Sequence, residues 1–277
     1  MRPGSPGSSL RSPENAFRVK PLLRWLGLLA AAFLALQLFF VARIAMMAVV
    51  DPQSTAFQRS EAWRLATGPG TLRWRQQWLP YAQISEHLKR AVIASEDDGF
   101  AYHDGVDWDA LEKAWQKNAT AQAQAQAKEL TKEHAQGNKR AGTSAQKTPP
   151  MPRAPKVIGG STITQQLAKN LFLSGERNLL RKGQEFFLAF ILEKLLDKER
   201  ILEIYLNNVE WGEGVFGAEA AAQRYFGKPA LRLSPIEAAR LAVMLPRPKY
   251  FEKIPNSAYL ASRAATIAAR MRGAELP

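Results

Sequence analysis

The sequence contains no cysteine, so disulfides, thiolate catalysis and cysteine-ligated zinc are all excluded. Acidic residues are in the minority, 25 Asp and Glu against 38 Lys and Arg, and the net charge of +13 exceeds what solubility requires. An anionic partner is therefore expected: nucleic acid, a lipid surface or a phosphorylated substrate. No compact Lys/Arg motif with interleaved aromatics is present, which together with the apolar segment described below argues against nucleic acid. The GxxxxGK[ST] order of a nucleotide P-loop is missing, as is a dinucleotide fingerprint, and almost no stretch alternates as a strand does. The 277 residues leave room for one substantial domain and not comfortably for two.

Residues 1–20 are rich in Pro, Ser, Gly and Arg and read as a disordered cytoplasmic tail. Residues 21–50 read as a membrane anchor. Trp25 to Ala42 carries no charge, and with its apolar flanks it reaches the roughly 20 residues a bilayer span needs. Arg2, Arg11, Arg18, Lys20 and Arg24 precede it against a lone Glu14, which keeps the N-terminus cytoplasmic and sends the remainder across. A cleaved signal peptide is the alternative, with AVVDPQSTA supplying a cleavage site. Arg43 marks the end of the span or snorkels to the interface. Residues 51–87 read as a polar connector dotted with Trp63, Trp74, Trp78 and Tyr81.

From Leu88 to Gly105 an apolar helical pattern runs straight into Glu96, Asp97 and Asp98, and Gly99 stands where a helix C-cap is expected. Three carboxylates at a helix C-terminus oppose the helix dipole and one another, which makes them more basic and suits one of them to general-base work. A helix is expected over 107–118, capped by Asp107 or Asp109, with Leu111, Ala114 and Trp115 on one face. Residues 119–156 then read as a low-complexity insertion without a core-forming face. An SxxK match inside it, Ser144 to Lys147, lacks its partner motifs and is discounted.

Downstream, GGSTITQQLAKNLF opens with a capping box from Thr162 to Gln165 and continues with an apolar stripe of Ile163, Leu167 and Leu171. Gln166 and Lys169 share another face with Thr162, and Asn170 stands alongside; that face can hold ligands. A helical stretch from Asn178 follows, where Arg181, Lys182 and Glu185 form RKxxE and FFLAFIL holds more large apolar residues than one buried stripe needs. Asp197 caps a fresh helix, Ser234 caps another with proline in its first turn, and a last helix spans 257–272.

These blocks carry a resemblance. Glu96, Asp97, Phe100, His103 and Gly105 read as EDxxFxxHxG, followed in order by GGSTIxQQxxKN, RKxxE and KxxILExYLN, the last through Lys198 to Asn207. The chain resembles the monofunctional peptidoglycan glycosyltransferases, the lipid II polymerases related to the glycosyltransferase domain of class A penicillin-binding proteins. The resemblance runs over roughly 73–271, interrupted by 119–156. It implies a mostly α, lysozyme-like two-lobed domain over 51–277, held periplasmic at the bacterial inner membrane by a single N-terminal helix. It also implies an inverting transfer that builds glycan strands from lipid II and releases undecaprenyl diphosphate. Glu96 would then be the base on the acceptor hydroxyl, and Glu185 the second glutamate, near the diphosphate. Lys169, Arg181 and Lys182 would face the leaving diphosphate, Thr162, Gln166 and Asn170 would contact substrate, and Asp97, Phe100 and His103 would orient the Glu96 loop. No metal ligand cluster is visible, although magnesium or manganese is compatible with a diphosphate. Expected partners are lipid II, the nascent strand, inner-membrane lipid and cell-wall synthesis proteins, without nucleic acid. A glycan-cleaving lysozyme-like enzyme and a non-catalytic membrane-tethered cell-wall module are the rival readings.

Overall fold

A computed structural model describes residues 16–69, 73–137, 160–173 and 179–277. Helix α1 spans Ala16–Met46, and its Pro21–Met46 part is apolar enough to cross a membrane, with none of that apolar window buried. Its last turn behaves differently. Ile44 and the following Met47 are buried within the main core, and Phe40 packs edge-on against Phe172. Arg43 lies over the Phe172 ring at 5.3 Å, so it turns toward the protein. The chain leaving α1 is pinned by Arg200, which donates to the Met47 carbonyl at 2.8 Å and pairs with Asp51 at 2.7 Å.

The expected connector is part of the folded domain. Thr55 and Gln58 form a capping box that starts α2 (Ala56–Thr67), and Gln58 reaches across to the Asn208 carbonyl. No broad apolar stripe announces this helix, which is why the sequence conceals it. Phe57 and Trp74 both pack on Phe216, while Trp63 is exposed. Strand β1 (Arg75–Gln76) pairs in parallel with β3 (Val215–Phe216), and β2 (Glu210–Gly212) pairs antiparallel with β3, giving a small sheet of order β1-β3-β2.

The β2–β3 turn depends on Gly214, whose φ is +70° and whose carbonyl accepts from Arg75 N at 2.8 Å. An added Cβ there would overlap the Arg73 carbonyl oxygen. Gly214→Ala is therefore expected to cost at least ~1–2 kcal/mol from the left-handed conformation alone, with the overlap adding more. Thermal unfolding followed by circular dichroism checks this; a midpoint equal to the parent's would contradict it.

The rest is helical. Helix α3 (Glu86–Glu96) packs with α9 (Pro235–Met244) and α11 (Ala258–Arg270), while α5 (Ile163–Phe172) packs with α6 (Leu179–Leu195), α7 (Lys198–Asn208) and α2. Helices α8 (Ala218–Phe226) and α10 (Pro248–Phe251) flank the small sheet. The caps read from Thr162, Asp197 and Ser234 are all formed, Ser257 caps α11 as well, and α8 ends on Gly227 in the left-handed conformation. Helix α1 also leans on α6, with Gln184 donating to Gln37 at 2.9 Å.

Helix α4 corrects the sequence reading. It begins as expected on Asp107, which accepts from Ala110 N at 2.8 Å, but continues from Trp108 to Gly137 instead of stopping near 118. Its Ala, Gln, Lys and Glu residues are good helix formers, and neither proline nor glycine intervenes before Gly137. Trp115 is exposed, and Ala114 is the buried residue of that face. The remaining part of the expected insertion, 138–156, including Ser144 to Lys147, lies outside the described residues.

Candidate active site

Glu96 is the last residue of α3, and the helix ends there instead of at Gly99, whose φ is not positive. Asp97 ends it. With φ −162° and ψ 74° it leaves the helix so that its two oxygens reach separate partners. Oδ2 accepts from Ile163 N, the first residue of α5, at 2.9 Å, and Oδ1 accepts from His103 Nε2 at 2.8 Å. Gly105 N donates to His103 Nδ1 at 3.2 Å, which leaves the ring proton on Nε2, facing Asp97. One buried carboxylate thus fastens the Glu96 loop to the start of the next motif helix.

A second brace secures the other side of the loop. Lys198 donates to the His103 carbonyl at 2.6 Å, pairs with Glu193 at 2.9 Å and lies 4.5 Å above the buried Phe100 ring. Thr164 donates to the same Glu193 at 2.6 Å. Phe100 and His103 are both held by this bracing, to which Lys198, visible only as a motif position, and Glu193 and Thr164, which the sequence did not single out, also belong.

Thr162 has two bonds of its own. Its hydroxyl donates to the Gly105 carbonyl at 2.6 Å and accepts from Gln165 N, and the side chain is buried. It caps α5, as its place ahead of Gln165 implies, ties α5 to the Glu96 loop, and lines the cavity that holds Glu96. Gln166 faces the Glu96 carboxylate, donating through Nε2 to Glu96 Oε2 at 3.1 Å. Tyr205 OH donates to Gln166 Oε1 at 3.0 Å and thereby fixes which end of the amide points at Glu96. Tyr205 was visible only as a motif position.

Burial raises the Glu96 pKa above its ordinary 4.5 and the Asp97 charge adds to that, while hydrogen bonds from Gln166 and Ser95 and the Lys169 charge pull it back. The direction agrees with the sequence reading, but its main cause does not. Asp98 is exposed and paired with Arg270 at 3.2 Å, so the three carboxylates do not act as one cluster.

Two cavities meet here. One of about 260 Å³ holds Glu96, Asp97 and the first turns of α4. The other, about 490 Å³, is lined by Gln166, Lys169, Asn170, Arg181, Lys182 and Glu185 among others. Ser161 lines both. In the larger cavity Glu185 is buried between Arg181 at 3.5 Å and Lys182 at 2.5 Å, and Lys182 also approaches Ser161 Oγ at 3.4 Å. The i,i+4 pair read from sequence is thus part of a triad at the cavity wall centred on the buried Glu185, with Arg181 and Lys182 half-buried. Glu210, which the sequence did not flag, lines the opposite part of the cavity, and burial pushes its pKa up to about 7 despite Lys249 at 3.4 Å.

The arrangement places a carboxylate of raised basicity at one end of a cleft and a group of cations at the other. A proton acceptor and an anion site can then act on two ends of one reacting pair.

Comparison with known proteins identifies the family. A family model described as Transglycosylase matches residues 67–131 and 140–272, so the break in the match, 132–139, is much shorter than the expected insertion. A biosynthetic peptidoglycan transglycosylase of Burkholderia thailandensis is 50% identical, the alignment covering 99% of this chain and 97% of that protein. The protein of the same description from Burkholderia pseudomallei is 49% identical over 100% of this chain and 97% of its own length, and that of Burkholderia orbicola is 49% identical over 94% and 95%. Matched through both cavities and along nearly the whole of these relatives, the chain belongs to the transglycosylase family, whose domain is helical and lysozyme-like.

Proposed function

We propose that Glu96 is the general base of a glycosyl transfer whose leaving group is received by Lys169 and Arg181. The chain is a peptidoglycan glycosyltransferase that polymerises lipid II into glycan strands for cell-wall synthesis. In our reading the acceptor sugar hydroxyl gives its proton to Glu96 as its oxygen attacks the anomeric carbon of the donor strand. The bond from that carbon to the diphosphate breaks with inversion, and undecaprenyl diphosphate departs. Charge develops on the diphosphate as the bond lengthens, and fixed cations in the larger cavity oppose it where it appears. The observation that carries this reading is the pairing of the two cavities at Ser161 and Gln166, with the base in one and the cations in the other.

Glu185 holds Arg181 and Lys182 in place, and Asn170 completes the polar wall. Among the described residues no three His, Asp or Glu side chains gather to hold a metal. A magnesium or manganese ion carried in on a diphosphate would find Glu185 already engaged by two cations, so the described residues do not fit a dedicated metal cage. The apolar α1 fits a single-pass anchor. We place it in the bacterial inner membrane with the N-terminus cytoplasmic and the domain periplasmic, supported by the basic residues before the span. Phe187 and Phe190 of α6, 42% and 49% exposed near α1, are then positioned to touch lipid.

Incubating the purified chain with labelled lipid II and resolving the products by gel tests the reading. A ladder of glycan polymer is expected; cleavage of preformed glycan without polymer would replace it with the hydrolase. The pH dependence offers a sharper check. Because Glu96 must be ionised to accept a proton and its pKa is raised, the acidic limb of kcat/KM lies above the 4.5 of an ordinary glutamate. Gln166→Ala removes a hydrogen bond to the charged form, so the limb moves to still higher pH. A limb that moves down, or stays put, would detach Gln166 from the base.

A further inference from the structure

The cations of the larger cavity serve the diphosphate that leaves, yet each transfer brings in a second diphosphate on the acceptor, which stays bonded throughout. The smaller cavity has cations of its own. Helix α4 passes over it at a fixed rotation, set by two contacts. A Cβ added at Gly160 would lie 3.2 Å from Leu111 Cα and 3.3 Å from both the Ala110 carbonyl and Ala114 Cβ, so a side chain there would press α4 outward. Trp108 stacks parallel to Phe186 of α6, with ring centroids 6.4 Å apart. Held in this way, α4 turns Lys113 and Lys117, one turn apart, into the cavity that contains Glu96.

The other charges of that cavity are spoken for. Asp97 is bound to His103 and Ile163, Asp107 caps α4, and Arg270 pairs with Asp98. Neither Lys113 nor Lys117 forms an ion pair with a described residue. Two lysines at i and i+4 stand about 6 Å apart at Cβ, and their flexible stems let both ammonium groups converge on adjacent phosphates. We propose that Lys113 and Lys117 hold the diphosphate of the acceptor lipid II while Glu96 takes the proton from its sugar hydroxyl. This rests on the reading of Glu96 as the base. Because the acceptor diphosphate keeps its charge through the reaction, the interaction is the same before and in the transition state, and it lowers KM without raising kcat.

The same chemistry could come from the headgroup of an anionic phospholipid, and the experiment separates the two sources. The full chain is assayed in neutral detergent with a preformed lipid-linked glycan as donor and lipid II as acceptor, each varied in turn, and then in vesicles with and without anionic phospholipid. For Lys113→Ala/Lys117→Ala the KM for lipid II is expected to rise about 10- to 100-fold in neutral detergent, as the loss of charge-assisted hydrogen bonds implies. The kcat and the KM for the glycan donor should stay within about twofold, a margin small against the tenfold expected from 1.4 kcal/mol. The Lys113→Arg/Lys117→Arg pair should restore most of the loss, which a merely structural role would not predict. An unchanged KM for lipid II in a polymerising enzyme overturns the assignment, as does a defect seen only with anionic vesicles or only toward the donor. A parent chain that makes no polymer at all would instead remove the functional reading, and this assignment with it.

Discussion

Glu96→Gln is expected to lower the turnover of lipid II about 100- to 10,000-fold, the range a positioned general base contributes. Glutamine keeps the size of the side chain, and its amide can still meet Gln166, but it cannot take a proton from the attacking hydroxyl. The residual rate measures what the cations and the alignment of the two substrates supply alone. Folding gives an independent control on the same variant. Glu96 has a raised pKa, so over the pH range between the unfolded and folded values the folded state binds more protons than the unfolded one. Its ionisation therefore subtracts stability as pH rises from about 4.5 through the folded pKa, and that loss persists above it. The neutral amide removes this loss, so near neutral pH the variant should unfold no earlier than the parent while having almost no activity. A variant that is inactive and also clearly less stable would mean that Glu96 supports the loop and that the catalytic assignment is wrong. Measuring polymer formation and thermal midpoint on one preparation gives both results.

Lys169→Ala is expected to lower kcat about 100- to 1,000-fold, in line with the removal of one preorganised group that meets developing charge. The side chain stands in the last turn of α5, where a cation is favoured by the helix dipole, and it is exposed to the cleft, so its loss should leave the fold intact. Lys169 also lowers the pKa of Glu96 through its charge. Its removal should therefore move the acidic limb of the rate profile to higher pH while the plateau falls. Lys169→Arg keeps the charge and should recover part of the rate and return the limb. If alanine raises KM and spares kcat, Lys169 binds ground-state substrate and the leaving-group role passes to Arg181 alone.

Much of the site was legible because motif residues near one another in sequence share one face of a helix or one short loop. Gln166, Lys169 and Asn170 follow from the periodicity of α5, and Arg181 and Glu185 from a single turn of α6. Thr162 was legible as the cap of α5, whereas its bond to the Gly105 carbonyl, 57 positions away, was not. The cause of the Glu96 shift was also out of reach. Local charges can be counted along a sequence, whereas burial depends on what α5 and α7 bring over the carboxylate. Helix α2 was missed because its cap is plain but its apolar anchor, Phe57, finds Phe216 from the far end of the chain. The length of α4 was missed for the opposite reason: helix propensity alone carries it past Ala114, with little packing to reveal it.

The burial of Ile44 and Met47 makes the end of the membrane helix a building block of the catalytic domain. Such a helix is joined to the domain by side-chain packing as well as by the chain. With α1 in the bilayer, as we propose, the domain is held close to the membrane surface, where lipid-linked substrates present their diphosphates. Assembly is constrained in the same way. A core that needs Ile44 and Met47 cannot close until the segment joining lipid to domain has taken its place, and in our reading the enzyme completes its folding at the membrane surface where its substrates wait.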